Sequence, residues 1–241
     1  MTKAAILIDG GFFLKRLPSV RQDVDPSEPE AVAKAIGQLV RSHLEQLNTS
    51  AGASSPWALL YRCFYYDARP YTKKGHKPVS GRAIDYARSP EAQFRLGLFD
   101  RLRRRPNFVV RLGEVRKERS WVLRDDAQTA LLRRERTVDQ LTDEDFAPGF
   151  RQKAVDMRIG VDITAIALKK QADTIILVAG DADFVPAAKL ARREGLRIVL
   201  DPLWRSVASE LFEHIDGLRS GFGRPRAGQV AAEREQPNEG A

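Results

Sequence analysis

Short, continuous apolar runs alternate along the chain with segments of helical period. The apolar runs are five to ten residues long and predict strands over 3–8, 57–66, 107–113, 174–179 and 196–200. Runs of this kind are typical of strands buried on both faces of a parallel sheet. The last two predicted strands enclose a predicted helix, which indicates a right-handed parallel crossover.

Apolar positions recur with helical spacing between these runs. Within Glu30–Leu47 they fall on one face, at Val32, Ile36, Leu39, Val40, Leu44 and Leu47. Further helices are predicted over 12–17, 91–105, 186–194 and 203–218, the first of them stopped by Pro18. Alternating strands and helices predict an α/β fold around a central, mainly parallel sheet.

The segment 152–168 fits two patterns. Its first half alternates apolar and polar residues as a strand does, whereas its second half continues as a helix. We predict a helix, because the strand that follows requires a crossover. Six residues of helix correspond to about 240° of rotation. Asp156 and Asp162 therefore cannot share one face, and we expect Asp156 at the helix start and Asp162 toward the sheet edge.

Two basic insertions are predicted in a domain that spans 1–219, one around 68–90 and one around 114–150. The first carries Lys73, Lys74 and Lys77 among tyrosines, a composition that suits contact with the backbone and bases of a nucleic acid. A solvated loop is an equally good interpretation. The polar residues 220–241 predict a disordered tail.

The composition narrows the class of partner. The chain of 241 residues has a formal charge of +8, which favours a polyanionic partner, with nucleic acid preferred over membrane. The single Cys63 excludes an internal disulfide and is read as a buried thiol. The three histidines lack metal-ligand spacing. With no apolar stretch approaching about 18 residues, and no leader-like start, we expect a cytoplasmic protein that does not span a membrane.

Acidic residues follow two of the apolar runs. Asp9 ends the first run, and Asp181 and Asp183 follow the fourth in Gly180-Asp-Ala-Asp183. Because the carboxyl ends of parallel strands meet at one sheet edge, these acids are expected to lie together. Asp162 is predicted to join them, since its neighbours are apolar and a lone buried carboxylate is costly. Carboxylates suit Mg²⁺ or Mn²⁺, which would act on a phosphodiester.

Several of these acids have a second interpretation. Asp156 and Asp183 each fit the N-cap of a helix. Asp67, after the second strand, either belongs to the site or only ends its strand. Lys153 and Arg158 flank Asp156 and are predicted to contact phosphate, Lys153 foremost.

Three motifs together resemble the NYN domain family, the LabA-like or DUF88 branch of the PIN-like nucleases. They are Ile8–Phe13, Lys153–Asp162 and Gly180–Pro186, and the resemblance extends to about Leu218. It implies a three-layer α/β/α sandwich and a metal-dependent RNA nuclease site. The implied core acids are Asp9, Asp162 and Asp181, with Asp156 and Asp183 as accessory ones. The family often has Asn shortly after the first acid, where this chain has Gly10, Gly11 and Phe12.

Two functions follow from the sequence. The first is a ribonuclease that uses Mg²⁺ or Mn²⁺ on single-stranded or structured RNA, with Asp9, Asp162, Asp181 and Asp183 as catalytic acids. The second is a nucleic-acid-binding or regulatory module without useful turnover. A phosphatase of the haloacid dehalogenase type is disfavoured, because Gly11 stands where its second aspartate is required. Self-association is left open.

Overall fold

The computed structural model describes residues 3–225 and has an α/β architecture. The central sheet follows the order β6-β5-β2-β1-β7-β8-β9, and β3 and β4 form a separate hairpin. The strands are β1 (Ala4–Asp9), β2 (Leu60–Arg69), β3 (Lys74–His76), β4 (Ala83–Asp85), β5 (Phe108–Leu123), β6 (Phe146–Lys153), β7 (Thr174–Val178), β8 (Arg197–Asp201) and β9 (Gly217–Leu218).

Seven α-helices are found within the described residues. They are α1 (Gly10–Val20), α2 (Pro29–Ala51), α3 (Pro90–Arg103), α4 (Asp125–Leu132), α5 (Val155–Leu168), α6 (Val185–Arg193) and α7 (Ser209–Phe212). These helices flank the mostly parallel sheet, which confirms the predicted fold class. The ambiguous segment that begins at 152 gives the end of β6 and then α5. No helix among residues 3–225 is long and apolar enough to cross a membrane.

The chain forms two compact units. Within the described residues, the first unit comprises 3–67, 97–111 and 156–225, and the second comprises 68–96 and 112–155. The two predicted insertions, 68–90 and 114–150, fall in the second unit.

The centre of the first unit is β1, which pairs in parallel with β2 on one side and β7 on the other. Ala4 to Ile8 and Ile175 to Val178 are all 0–1% exposed, which explains why both runs lack polar positions. Ile8 lies in register with Val178, so the carboxyl ends of β1 and β7 reach the same edge.

Two predicted boundaries in the first unit are wrong. Pro18 does not stop the first helix, since α1 continues to Val20 and Arg21 N donates to Leu17 O at 2.8 Å. Pro18 removes one backbone hydrogen bond to the preceding turn, and the helix ends two residues after it. The second predicted strand does not end at Asp67, which lies inside β2 and is fully buried.

The predicted helix 203–218 is also wrong. Leu203 and Trp204 have φ values of 46° and 66°, which a right-handed helix does not accommodate. The Leu203 amide instead donates to Asp201 Oδ1 at 2.8 Å. Only α7 and the short β9 form in this segment.

Packing continues past the expected boundary at residue 220. Phe222 is 7% exposed, and the Gly221 amide donates to Asp201 Oδ2 at 2.9 Å. Residues 226–241 of the predicted tail lie outside the described part of the chain.

The second unit has secondary structure of its own. The far part of β5 pairs antiparallel with β6, from Glu114 opposite Lys153 to Leu123 opposite Phe146. The segment expected as a loop contains the β3–β4 hairpin. Asp143 holds the turn of this hairpin by accepting hydrogen bonds from the backbone amides of Val79 and Ser80.

Candidate active site

Asp9 and Asp181 line one cleft of about 500 Å³ at the carboxyl ends of β1 and β7. Asp9 caps α1, because its Oδ1 accepts from the Phe12 amide at 3.1 Å. Asp181 makes the same kind of cap one strand away, accepting from the Asp183 amide at 3.1 Å. Each acid is therefore fixed by a helical turn that begins at its strand end.

Asp156 is electrostatically coupled to this pair. Burial, followed by the charges of Asp156 and Asp67, raises the pKa of Asp9 to about 6, against the lowering effect of the Phe12 amide. Burial, followed by the charges of Asp181 and Asp183, also raises the pKa of Asp156. Through Asp156, repulsion thus links four acids, namely Asp9, Asp156, Asp181 and Asp183, although Asp156 and Asp183 line a second depression and not the cleft itself. A bound cation relieves repulsion of this kind.

The four acids differ in exposure. Asp156, Asp181 and Asp183 are open to solvent, whereas Asp9 is half-buried. Carboxylate oxygens are the ligands that Mg²⁺ and Mn²⁺ prefer, so the donor chemistry fits such an ion. Within residues 3–225, no group of three or more acids, histidines or cysteines is gathered closely enough to be identified as a metal centre.

Asp162 has different partners. Its Oδ2 accepts from the Tyr66 hydroxyl at 2.9 Å and lies 3.1 Å from Arg111 Nε. The side chain is only 15% exposed, so the guanidinium compensates a largely buried charge. Burial and the neighbouring Asp162 raise the pKa of Tyr66. As expected from the rotation along α5, Asp156 and Asp162 have separate surroundings, and it is Asp156 that is coupled to the cleft acids.

Two glycines of the motifs, Gly10 and Gly180, are required by packing. A Cβ at Gly180 would lie 2.5 Å from the Phe12 ring. A Cβ at Gly10 would lie 2.5 Å from the carbonyl oxygen of Tyr66. Phe12, which stands in the segment where the family often has Asn, thus packs against the second acidic motif and donates its amide to Asp9.

The predicted basic contacts are distributed over both units. Arg158 is an exposed residue of α5 in the first unit. Lys153 lies on β6 in the second unit, where its Nζ is 2.7 Å from Glu118 Oε1. Lys73 and Lys74 are exposed in the second unit, and Lys77 lies over the Trp121 ring at 5.9 Å.

Sequence reasoning missed two basic residues of the cleft, Lys15 and Arg205. Both line it beside Asp9 and Asp181, and both are exposed. Neither has an acidic partner within 4.0 Å among residues 3–225. Lys15 stands six positions after Asp9 on the helix that this acid caps, a signal that was present in the sequence. Arg205 was hidden by the wrong helix prediction.

Comparison with known proteins shows a similarity to the NYN domain. Residues 100–216 match the family model of the NYN domain, a family of PIN-like nucleases. The match includes the second and third motifs and confirms the resemblance to this family.

Two further proteins are similar to this chain. An uncharacterized protein of Methanocaldococcus jannaschii, MJ0482, is 29% identical over 66 residues. These residues span 27% of this chain and 28% of that protein. A crystal structure of a protein of unknown function, VPA0982 from Vibrio parahaemolyticus, superposes with a TM-score of 0.43 and 15% identity, over 92% of this chain and 95% of that one.

Proposed function

We propose that this protein is a metal-dependent ribonuclease of the LabA-like or DUF88 branch of the NYN family. The observation that carries the proposal is that acidic and basic side chains line the same cleft. Asp9 and Asp181 line it together with Lys15 and Arg205. Oxygen ligands for a cation and positive charges for a phosphodiester thus occupy the same cleft.

Each residue has a role in this proposal. Asp9, Asp156 and Asp181 would hold Mg²⁺ or Mn²⁺, with Asp183 as an accessory acid. The ion, when bound, would supply an activated water and charge stabilisation at the phosphate. Lys15 and Arg205 bind the phosphate oxygens and orient the scissile bond.

Asp162 has a positioning role in the same proposal. Its carboxylate holds the Tyr66 hydroxyl and the Arg111 guanidinium, which fixes α5 against β2 and β5. Because Asp156 lies on the same helix, this anchoring sets where the Asp156 carboxylate is presented. The sequence predicted that Asp162 is itself a metal ligand. Comparing the Asp156→Asn and Asp162→Asn variants distinguishes that role from the positioning role.

A cleavage assay tests the proposal. Purified protein is incubated with end-labelled RNA and with single-stranded DNA in Mg²⁺, Mn²⁺ or EDTA. The Asp181→Asn variant is compared with Glu194→Gln, which removes the charge of an exposed acid that does not line the cleft. We expect metal-dependent RNA cleavage that falls at least about 100-fold in Asp181→Asn, the order of one lost transition-state contact, and is unchanged in Glu194→Gln. Absence of cleavage with every metal, or full activity of Asp181→Asn, would refute it.

A binding module without turnover is the second candidate. The exposed Lys73 and Lys74, which have no acidic partner within 4.0 Å among residues 3–225, favour nucleic-acid binding whether or not cleavage occurs. RNA binding in EDTA combined with no cleavage in either metal would support this candidate over the first.

A further inference from the structure

Three aromatic rings form a cluster in the second unit. The ring centroids of Tyr71 and Phe150 are 4.7 Å apart, those of Tyr86 and Phe150 5.1 Å, and those of Tyr71 and Tyr86 5.4 Å. With Pro70 and Pro148 they line a cavity of about 410 Å³, which lies within the range of small-molecule sites of about 300–1,000 Å³. We call this cavity the aromatic pocket.

Tyr86 carries an unsatisfied polar group in the wall of this pocket. The residue is 8% exposed, and its hydroxyl is buried without a hydrogen-bond partner among residues 3–225. Leaving a buried hydroxyl unpaired costs free energy, which a bound donor or acceptor would recover once the Tyr86 ring turns its hydroxyl toward the pocket. Ser89, Gln152 and the ion pair of Glu91 with Arg95, whose Oε1 and Nε are 3.3 Å apart, add further polar atoms to the lining. Mostly apolar walls with a few polar groups are typical of ligand sites.

A basic depression adjoins the aromatic pocket. It has a volume of about 630 Å³ and shares Pro70, Tyr71 and Val115 with the pocket. Four basic side chains line it, namely Arg69, Lys73, Arg116 and Lys117. One of them, Arg116, is paired with Glu114 at 3.2 Å. A surface for a planar apolar group thus continues directly into a surface for anions.

We infer that the second unit binds one unpaired base of an RNA strand in the aromatic pocket and the adjoining phosphates in the basic depression. The inference rests on the proposed function only for the choice of RNA as the polymer. Base stacking on aromatic rings beside a positively charged groove is the usual way in which single strands are held. A paired base is stacked inside its duplex and has no free face for the pocket, so the strand must be single at this point.

This inference changes the contact residues predicted from the sequence. Of the three lysines expected to contact nucleic acid in the first insertion, only Lys73 lines the basic depression. The tyrosines expected to be interleaved in a loop instead pack on Phe150 from β6, so the site joins both segments of the second unit.

Binding in EDTA tests the inference without requiring cleavage. Fluorescence anisotropy measures the affinity of the full-length protein for a labelled, unstructured RNA of ten nucleotides. Two variants address the pocket: Tyr71→Leu removes a stacking surface, and Tyr86→Phe removes only the hydroxyl. Phe212→Leu, which changes an exposed ring of the first unit, is the matched control.

The expected losses differ between the variants. Tyr71→Leu should weaken binding about tenfold, the order reported for one stacked base. Tyr86→Phe should weaken binding severalfold while the melting temperature stays the same or rises, because an unpaired buried hydroxyl has been removed. Phe212→Leu should bind as the wild type does. The melting temperature of each variant shows whether a loss of affinity is a loss of folding.

Changes in the ligand complete the test. Abasic substitution in the RNA should weaken wild-type binding but have little further effect on Tyr71→Leu, and a fully paired duplex should bind less tightly than the single strand. Free AMP and UMP show whether a mononucleotide suffices. Wild-type affinity in both Tyr71→Leu and Tyr86→Phe, or equal binding of duplex and single strand, would overturn the inference. Because binding is measured in EDTA, failure of the nuclease proposal, which concerns cleavage in the presence of metal, is seen separately.

Discussion

The hydroxyl of Tyr66 on β2 donates to Asp162 Oδ2 on α5 across 2.9 Å. Arg111 on β5 contacts the same carboxylate at 3.1 Å. Three elements are thereby joined through one acid. Asp9 is in a different situation, because burial and then the charges of Asp156 and Asp67 raise its pKa to about 6, against the hydrogen bond from the Phe12 amide. Asp162 has a paired guanidinium and a hydroxyl donor, whereas Asp9 faces other carboxylates, which distinguishes an anchoring role from a cation-binding role.

Removal of Arg111 should destabilise the fold. Arg111→Gln leaves the largely buried Asp162 carboxylate without its cation, and we expect a loss of about 1 kcal/mol because the guanidinium is partly exposed. Urea unfolding measures this loss. Arg158→Gln, which changes an exposed residue of α5, serves as the control and should stay within about 0.5 kcal/mol of the wild type. Equal stability of the two variants would show that the pair contributes nothing.

Asp9→Asn should stabilise the protein in EDTA at neutral pH. The pKa of Asp9 is raised to about 6 in the folded state, so ionisation costs folding free energy as pH rises from about 4 to about 6. The amide removes this cost while still capping α1. The free energy of unfolding of the variant should equal that of the wild type at pH 4 and exceed it by about 1–3 kcal/mol above pH 6.

Thermal unfolding across this pH range provides the measurement. Asp23→Asn is the control and should lower stability at neutral pH, because a hydrogen bond from Arg21 lowers the pKa of Asp23. Lower stability of Asp9→Asn than of the wild type at pH 7.5 would show that the Asp9 carboxylate is not strained by its neighbours.

Gly10→Ala should be strongly destabilising. The added methyl would meet the Tyr66 backbone carbonyl at 2.5 Å, and a backbone atom cannot turn away as a side chain does. Overpacking of this kind costs about 1–3 kcal/mol. Gly223→Ala is the matched control, since nothing lies within 4 Å of its added Cβ. Denaturant midpoints of the two variants should differ clearly, and equal midpoints would mean that β2 shifts without cost.

Lys15 and Arg205 should contribute to RNA binding through phosphate. Lys15→Gln and Arg205→Gln should each reduce the slope of log affinity against log salt by about 0.7, the value for one phosphate contact with a single strand. Anisotropy titrations in EDTA at several salt concentrations measure this slope. Lys34→Gln, an exposed residue of α2, should leave it unchanged. A wild-type slope in both cleft variants would exclude these residues from the RNA path.

The sequence predicted the fold well where burial is continuous. The runs that became β1 and β7 are apolar throughout from Ala4 to Ile8 and from Ile175 to Val178, and the acid that follows each run marked the cleft edge. Local pattern was insufficient where backbone conformation depends on tertiary contacts. Leu203 and Trp204 read as helical, yet their amide and indole groups are held by Asp201 and Phe222.

The arrangement of acids along α5 shows the same limit. Helical rotation predicted that Asp156 and Asp162 would have separate surroundings. It placed Asp162 toward the cleft, whereas Asp156 is the acid that is coupled to the cleft acids. The partners that hold Asp162 come from positions 96 and 51 residues away in the chain and could not be read from local pattern. Arg111 is the single charge of its apolar run, but Arg62 and Arg197 interrupt two other runs in the same way, so this pattern did not distinguish it.

The most direct test of the metal-site proposal compares Asp156→Asn with Asp162→Asn. Single-turnover cleavage of an end-labelled RNA is measured for both variants over a range of Mn²⁺ concentrations. We predict that Asp156→Asn lowers the rate at least about 100-fold and shifts the Mn²⁺ requirement upward. Asp162→Asn should retain the wild-type Mn²⁺ requirement and lose rate in proportion to its loss of stability. The opposite result, a raised Mn²⁺ requirement in Asp162→Asn and a normal one in Asp156→Asn, would contradict the assignment of the cation to Asp9, Asp156 and Asp181.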